Sequence, residues 1–367
     1  MRRTLLCVCM VGAALLAAAS VLAAQAPRHE FRPMAIEGTP FHEGDSLVLM
    51  ANGQVRWLRE GRAVATLNDP EGLVRGSRDL ATNRALYVTD DEGGVVGDFE
   101  RAGTTLFLSS DAPKYIFHQR GVIRKAGAAG DMTWHGGTIL VANKTEAIFW
   151  GSWGSPGDII TGLDSFFSGF GGSGYAGDST EYTGSNGQVT SSSTYLGHVL
   201  DTSAPPKRSP SVSTMVAEAC KVTNNNPDPN ALYLMYTSNF PRQNSFCAWH
   251  SYGNCSNGAP VQVANMPNTT GIAGCDPSDT WTTNSEGLAS LANVTGHELS
   301  ETITDPRNGG WYDANGQENG DKCAWSFNHV VTLSNHALFK LQMEWSNNAF
   351  NAGTGFLNSS GQPGCLQ

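Results

Sequence analysis

From Thr138 onward the hydrophobic pattern alternates between two periods. Thr138 to Val141 and Ala147 to Trp153 are short apolar runs of strand length. Ser155-Pro156-Gly157-Asp158 then predicts a helix start, with Ser155 as N-cap and Pro156 in the first turn. Ile159, Ile160, Leu163, Phe166, Phe167 and Phe170 recur at helical spacing and form its buried face. Residues 171 to 194 are rich in Gly, Ser, Thr and Tyr and predict an exposed loop. A second helix is expected over Val212 to Val222, and buried strands over Ala231 to Tyr236 and Phe246 to His250. Near the end Phe339, Leu341, Met343 and Trp345 alternate with Lys340, Gln342 and Glu344, the period of a half-buried strand. Strand–helix alternation of this kind predicts an α/β (α+β) domain over residues 130–367 with a mixed sheet.

The preceding part has a different texture. Residues 25 to 45 read as an irregular lead-in, and residues 46 to 110 as short strands between Gly, Asp and Asn turns. Gly53 to Leu58 is echoed 41 residues later by Gly94 to Phe99, and Gly61 to Leu67 by Gly103 to Leu108. A period near 40 resembles propeller blades, but two blades cannot close a ring. The expectation is a small all-β accessory unit over residues 25–125, for which a plain β-meander serves equally well.

The densest chemistry lies in His297-Glu298-Leu299-Ser300-Glu301-Thr302-Ile303-Thr304-Asp305-Pro306. Leu291, Val294 and Leu299 give an apolar stripe, and Pro306 stops the helix. Four residues turn about 400°, so His297, Glu301 and Asp305 drift only roughly 40° per step and share a face. One imidazole and two carboxylates on one face suit a metal ion. Glu298 stands where HExxH metallopeptidases keep their general base, with Glu301 replacing the second histidine. The following acids Asp313, Glu318 and Asp321 add oxygen donors. The candidate ligands are therefore His297, Glu301, Asp305, Glu318 and Asp321, with Zn²⁺ as the first ion and Ca²⁺ as the alternative. The competing reading is a solvated acidic helix face. His250 is read as a packed histidine rather than a distant ligand.

Compartment follows from the start of the chain. Met1-Arg2-Arg3, an apolar run from about Thr4 to Ala24 and small residues at its end form the pattern of a cleaved signal peptide over residues 1–24. Export to the extracellular space or periplasm is expected. With 33 acidic residues against 23 basic ones the net charge is −10, and removing Arg2 and Arg3 makes it more negative. That balance argues against nucleic acid or an anionic membrane as partner. Beyond Cys7 and Cys9 the cysteines are Cys220, Cys247, Cys255, Cys275, Cys323 and Cys365. An even number in an oxidising compartment predicts three disulfides, with the pairing left open.

Several of these segments together resemble one family. They are Trp134-His135-Gly136-Gly137, the strand ending Trp150-Gly151-Ser152-Trp153, Phe246-Cys247-Ala248-Trp249-His250, and the His297 motif with Gly310-Trp311-Tyr312. The chain is similar over about residues 130–367 to the phosphate-induced protein 1 (EXORDIUM-like) family, in its bacterial branch. The resemblance implies an extracellular or wall-associated protein. It implies no reaction, and the family's plant members often lack the second carboxylate and the Asp of this motif.

Three functions compete on these grounds. In the first, a secreted zincin-like metallohydrolase cleaves an extracellular peptide, with His297 and Glu301 on zinc and Glu298 as general base. In the second, a non-catalytic protein binds a cell-wall component, and a structural Ca²⁺ or Zn²⁺ locks the Asp313–Asp321 loop. In the third, a polysaccharide hydrolase stacks sugars on Trp150, Trp153, Tyr175 and Tyr182.

Overall fold

A computed structural model describes residues 115–120, 130–207, 209–241 and 246–367 in full, and the backbone of the strands between Ala35 and Leu108. The expected signal peptide lies outside the described residues. Strands Ser46–Leu49, Gln54–Arg59, Arg62–Asn68, Val74–Arg75, Leu86–Thr89, Val95–Ala102 and Thr105–Leu108 pair antiparallel in one 7-stranded sheet. The echoed segments around Gly53 and Gly94 thus belong to two strands of a single sheet.

The α/β body is assembled from β1 (Ile116–His118), β2 (Asn143–Trp150), α1 (Ile159–Phe170), β3 (Ser193–Asp201), α2 (Val212–Val222), β4 (Ala231–Thr237), β5 (Phe246–Asn254), β6 (Pro260–Pro267) and α3 (Glu286–Thr304). Its 6-stranded sheet runs β1-β5-β6-β4-β2-β3. Neighbours among β6, β4, β2 and β3 are parallel, whereas β5 is antiparallel to β6 and β1 antiparallel to β5. The domain is therefore α/β with a mixed sheet, as the alternation predicts. Ile116–His118, which the sequence pattern groups with the N-terminal unit, pairs here instead.

Both faces of the sheet are covered, which explains the unbroken apolar run in β4. Leu232, Leu234 and Tyr236 pack into the core that holds α1 and α3. Ala231, Tyr233 and Met235 point the other way, onto Val212, Met215, Val216 and Ala219 of α2. A strand buried on both sides has no polar period to show. The N-cap of α1 is Asp158 rather than the expected Ser155, and Ile160 is only partly buried. Ser211 caps α2 by accepting from the Thr214 amide.

Two expectations fail for the same reason: local polarity hides burial when hydroxyl and carboxyl groups pair internally. Residues 171–194 are not a free loop. Tyr175 and Tyr182 are buried at 2% and 1% exposure, which removes them as sugar-stacking platforms. The Tyr175 hydroxyl donates to Glu344 Oε1 at 2.6 Å, and that of Tyr182 to the Trp345 carbonyl at 2.7 Å. Likewise 339–345 is not a half-buried strand. Only Leu338–Phe339 and Glu344–Trp345 form short strands, and Lys340, Gln342 and Glu344 are buried with the apolar residues between them.

The six cysteines pair as Cys220–Cys255, Cys247–Cys275 and Cys323–Cys365. The first ties α2 to the residue after β5, and the second ties β5 to the segment leading into α3. Unreduced protein should therefore show no titratable thiol from these cysteines. Each bridge in an exported domain is worth about 2–5 kcal/mol. Reduction should lower the melting temperature clearly in a calorimetric scan. Among the described residues no helix is long and apolar enough to cross a membrane.

Burial also sets a pH dependence. Desolvation pushes the Glu344 carboxyl well above the usual carboxylate range. Its proton is held more tightly in the folded than in the unfolded chain. The associated stability is present below about pH 4.5 and is lost as pH rises towards the folded value, at about 1.4 kcal/mol per pH unit. Glu344→Gln should melt close to the native chain at pH 4 and several degrees above it at pH 8, read by thermal denaturation at both values.

Candidate metal centre

Helix α3 carries the site. Ser285 caps it by accepting from the Leu288 amide at 3.2 Å and is itself held by Asp158, which accepts from the Ser285 amide at 2.9 Å and from its hydroxyl. Every residue from Gly287 to Thr304 is buried, so the polar ones need internal partners. Thr295 donates to the Leu291 carbonyl and meets the Tyr236 hydroxyl, both at 2.7 Å. Asn293 Oδ1 accepts from the Gln342 amide at 2.8 Å. The helix ends at Asp305, whose φ of −142° has left the helical region.

Asp305 does not continue the ligand stripe. Its Oδ1 accepts from the amides of Gly309 at 2.8 Å and Gly310 at 2.9 Å, closing the turn after Pro306. A Cβ on Gly310 would lie 2.0 Å from the Thr304 carbonyl oxygen, so only glycine permits this turn. The turn returns the chain to a short helix, Asn319–Lys322, packed beside α3. Gly320 is the closest approach: a Cβ there would stand 2.8 Å from His297 Nδ1 and 3.1 Å from Glu301 Oε1.

His297, Glu298 and Glu301 are all fully buried. Glu301 is the hub. Its Oε1 lies 3.1 Å from His297 Nε2 and accepts from the Asp321 amide at 2.9 Å. Its Oε2 lies 3.4 Å from His250 Nε2. His250 comes from β5 and also meets Glu318 Oε2 at 3.1 Å. Gln342 supports the other histidine: its amide nitrogen is 3.0 Å from His297 Nδ1 and donates to the Gly320 carbonyl at 2.9 Å.

Among the described residues, two overlapping sets could hold a metal ion. One is His250, Glu298 and Glu301, all buried; the other is His297, Glu301 and Asp321. In each, ligand atoms lie within 4.8 Å of one another. Asp305 and Glu318 belong to neither set, although Glu318 touches His250. Glu298, expected to stand aside from the ligands, is part of the first set. Both of its oxygens, together with Glu301 Oε2 and Asp305 Oδ2, are buried without a hydrogen-bond partner.

The electrostatics match that arrangement. Burial pushes Glu298 well above the usual carboxylate range, and the acids Glu301, Asp321 and Glu318 add to the shift. Burial would also raise Glu301, but His297 and His250 outweigh it and hold Glu301 down at about 2. Burial alone would lower His250; the Glu301 carboxylate beside it and the charges of Glu298 and Asp305 raise it instead. Lys322 pairs elsewhere, with Asp313 at 3.0 Å and the Gly130 carbonyl at 2.8 Å. Several carboxylates share one dry pocket, and that favours a cation.

His250, expected as a packed histidine rather than a distant ligand, joins the first set, and Gln342 is a supporting residue that no local pattern marks. A histidine inside the apolar run Phe246-Cys247-Ala248-Trp249-His250 was the available signal, because a buried imidazole needs a polar partner. No known protein family, curated protein or solved structure matches the chain.

Proposed function

We propose that the chain is an exported metal-dependent hydrolase with a zincin-like arrangement of sheet and site helix. The observation that carries this reading is the buried His250–Glu298–Glu301 set, in which both oxygens of Glu298 and Oε2 of Glu301 lack a hydrogen-bond partner. His250 and Glu301 are the core ligands, with His297 and Asp321 reached through the other oxygen of Glu301. The mixture of nitrogen and oxygen donors without thiolate suits Zn²⁺, with Ca²⁺ as the alternative ion. A bound divalent ion would acidify water and polarise a carbonyl. Glu298 would then take the proton, and burial holds its carboxyl well above the usual carboxylate range, which favours proton uptake.

The second reading is a structural cation site with Glu298 as a third ligand. It is favoured by the same grouping of Glu298 with His250 and Glu301. The bacterial EXORDIUM-like resemblance rests on the quoted motifs and suits either reading, with a cell-wall component as partner in the second. Export is supported by the N-terminal sequence and by the three disulfides.

The test is hydrolysis of casein and of peptide and ester reporters by the full chain, after chelation and again after addition of Zn²⁺ or Ca²⁺. The hydrolase reading expects activity that chelation removes and one ion restores. Stoichiometric metal with no turnover of any reporter selects the structural reading.

A further inference from the structure

Strand β1 has an unusual place. Without it, β5 would be the edge of the sheet, the side that offers unpaired amides and carbonyls to an incoming chain. The segment around β1 occupies that edge antiparallel, with Ile116 opposite Trp249 and Phe117 opposite Ala248. The His250 amide donates to the Tyr115 carbonyl at 3.3 Å, and the Arg120 amide to the Gly274 carbonyl at 2.7 Å. Trp325 Nε1 donates to the His118 carbonyl at 3.0 Å. Arg120 anchors the end, its guanidinium donating to the Asp276 carbonyl at 2.9 Å.

The side chains that alternate towards the site fall on the two histidines. Phe117 stacks on His297 with ring centroids 3.8 Å apart and 15° between planes. Tyr115 stacks on His250 at 4.7 Å, and its hydroxyl donates to Asn308. The pair of rings covers both imidazoles around Glu301. A polypeptide that adds to a sheet edge gains main-chain hydrogen bonds from any sequence and selectivity from alternate side chains. The segment around β1 is held in that way.

We propose that Tyr115–Arg120 is a resident pseudosubstrate. It is a segment of the chain's own N-terminal part that fills a peptide-binding edge over the histidine–glutamate cluster. It exchanges for an extended peptide with an aromatic side chain at the position of Phe117. The inhibitory consequence rests on the hydrolase reading; the peptide-binding edge does not. The occupant class is thus extended polypeptide, and departure of the segment uncovers the faces of His250 and His297.

A fluorescent synthetic peptide copying Tyr115–Arg120 tests this by anisotropy, using the full chain and its Phe117→Ala variant with no metal required. The variant should bind the peptide about ten-fold or more tightly than the native chain. A peptide with alanine in place of its phenylalanine should bind about ten-fold more weakly. Equal binding by both chains, or none by a folded variant, overturns the proposal. Hydrogen exchange on the native chain decides the matter even if the variant fails to fold. Amides of Ile116–His118 should exchange about ten-fold or more faster than those of β4. Exchange at the rate of β4 makes the segment an integral core strand and overturns the proposal. Peptide binding with no hydrolysis leaves the exchangeable peptide-binding edge standing and sinks the hydrolase reading, and its inhibitory consequence with it. Metal-dependent hydrolysis with no peptide exchange sinks the pseudosubstrate alone.

Discussion

Glu301→Ala is expected to lose cation binding altogether within a titration to the micromolar range. Glu301 is the one residue common to both ligand sets. One oxygen faces His297 and the Asp321 amide, the other faces His250. Its removal takes away the one carboxylate that faces both histidines. The expected loss is on the order of 10³-fold in Kd, about 4 kcal/mol. Alanine is the best helix former, so α3 should persist and circular dichroism should stay close to native. Glu286→Ala, in the first turn of the same helix, is the control and should keep the ion. Retention of native affinity by Glu301→Ala, measured by isothermal titration, would rule out both sets.

Glu298→Gln should keep the ion and lose hydrolysis by roughly 10²–10⁴-fold, the usual worth of a general base. The substitution preserves volume and removes only the ionisable oxygen. In the native chain burial raises the Glu298 pKa well above the usual carboxylate range, which strengthens it as a proton acceptor. The amide of glutamine has no comparable basicity. A fall in kcat with KM unchanged is the signature of a group that acts in the chemical step. Loss of the ion together with activity would instead make Glu298 a ligand and favour the structural site.

Much of this architecture is visible in the sequence, for identifiable physical reasons. Helix α3 is legible because Pro306 ends it and because His297 and Glu301 are one helical turn apart. The strands β4 and β5 are legible as apolar runs, and the three disulfides are legible as an even count behind a signal-peptide-like start. The parts that stay hidden depend on contacts distant in sequence. His250 precedes Glu301 by 51 residues and meets its carboxylate only because β5 packs against α3. Gln342 and Glu344 look like the wet side of a strand, yet each is buried because it completes a hydrogen bond to His297 or Tyr175. Asp305 shares the spacing of a third ligand, but Pro306 ends the helix there and the Gly309-Gly310 turn takes one oxygen of its carboxylate. Cysteine pairing likewise follows strand order, which no local pattern encodes.

The central claim is that one divalent cation belongs at Glu301. Elemental analysis of the purified full chain tests it most directly, after exhaustive dialysis against chelator and reloading with trace Zn²⁺ and Ca²⁺. The account predicts about one ion per chain for the native protein and none for Glu301→Ala. A native chain that retains no stoichiometric ion, or an equal content in both proteins, would contradict it.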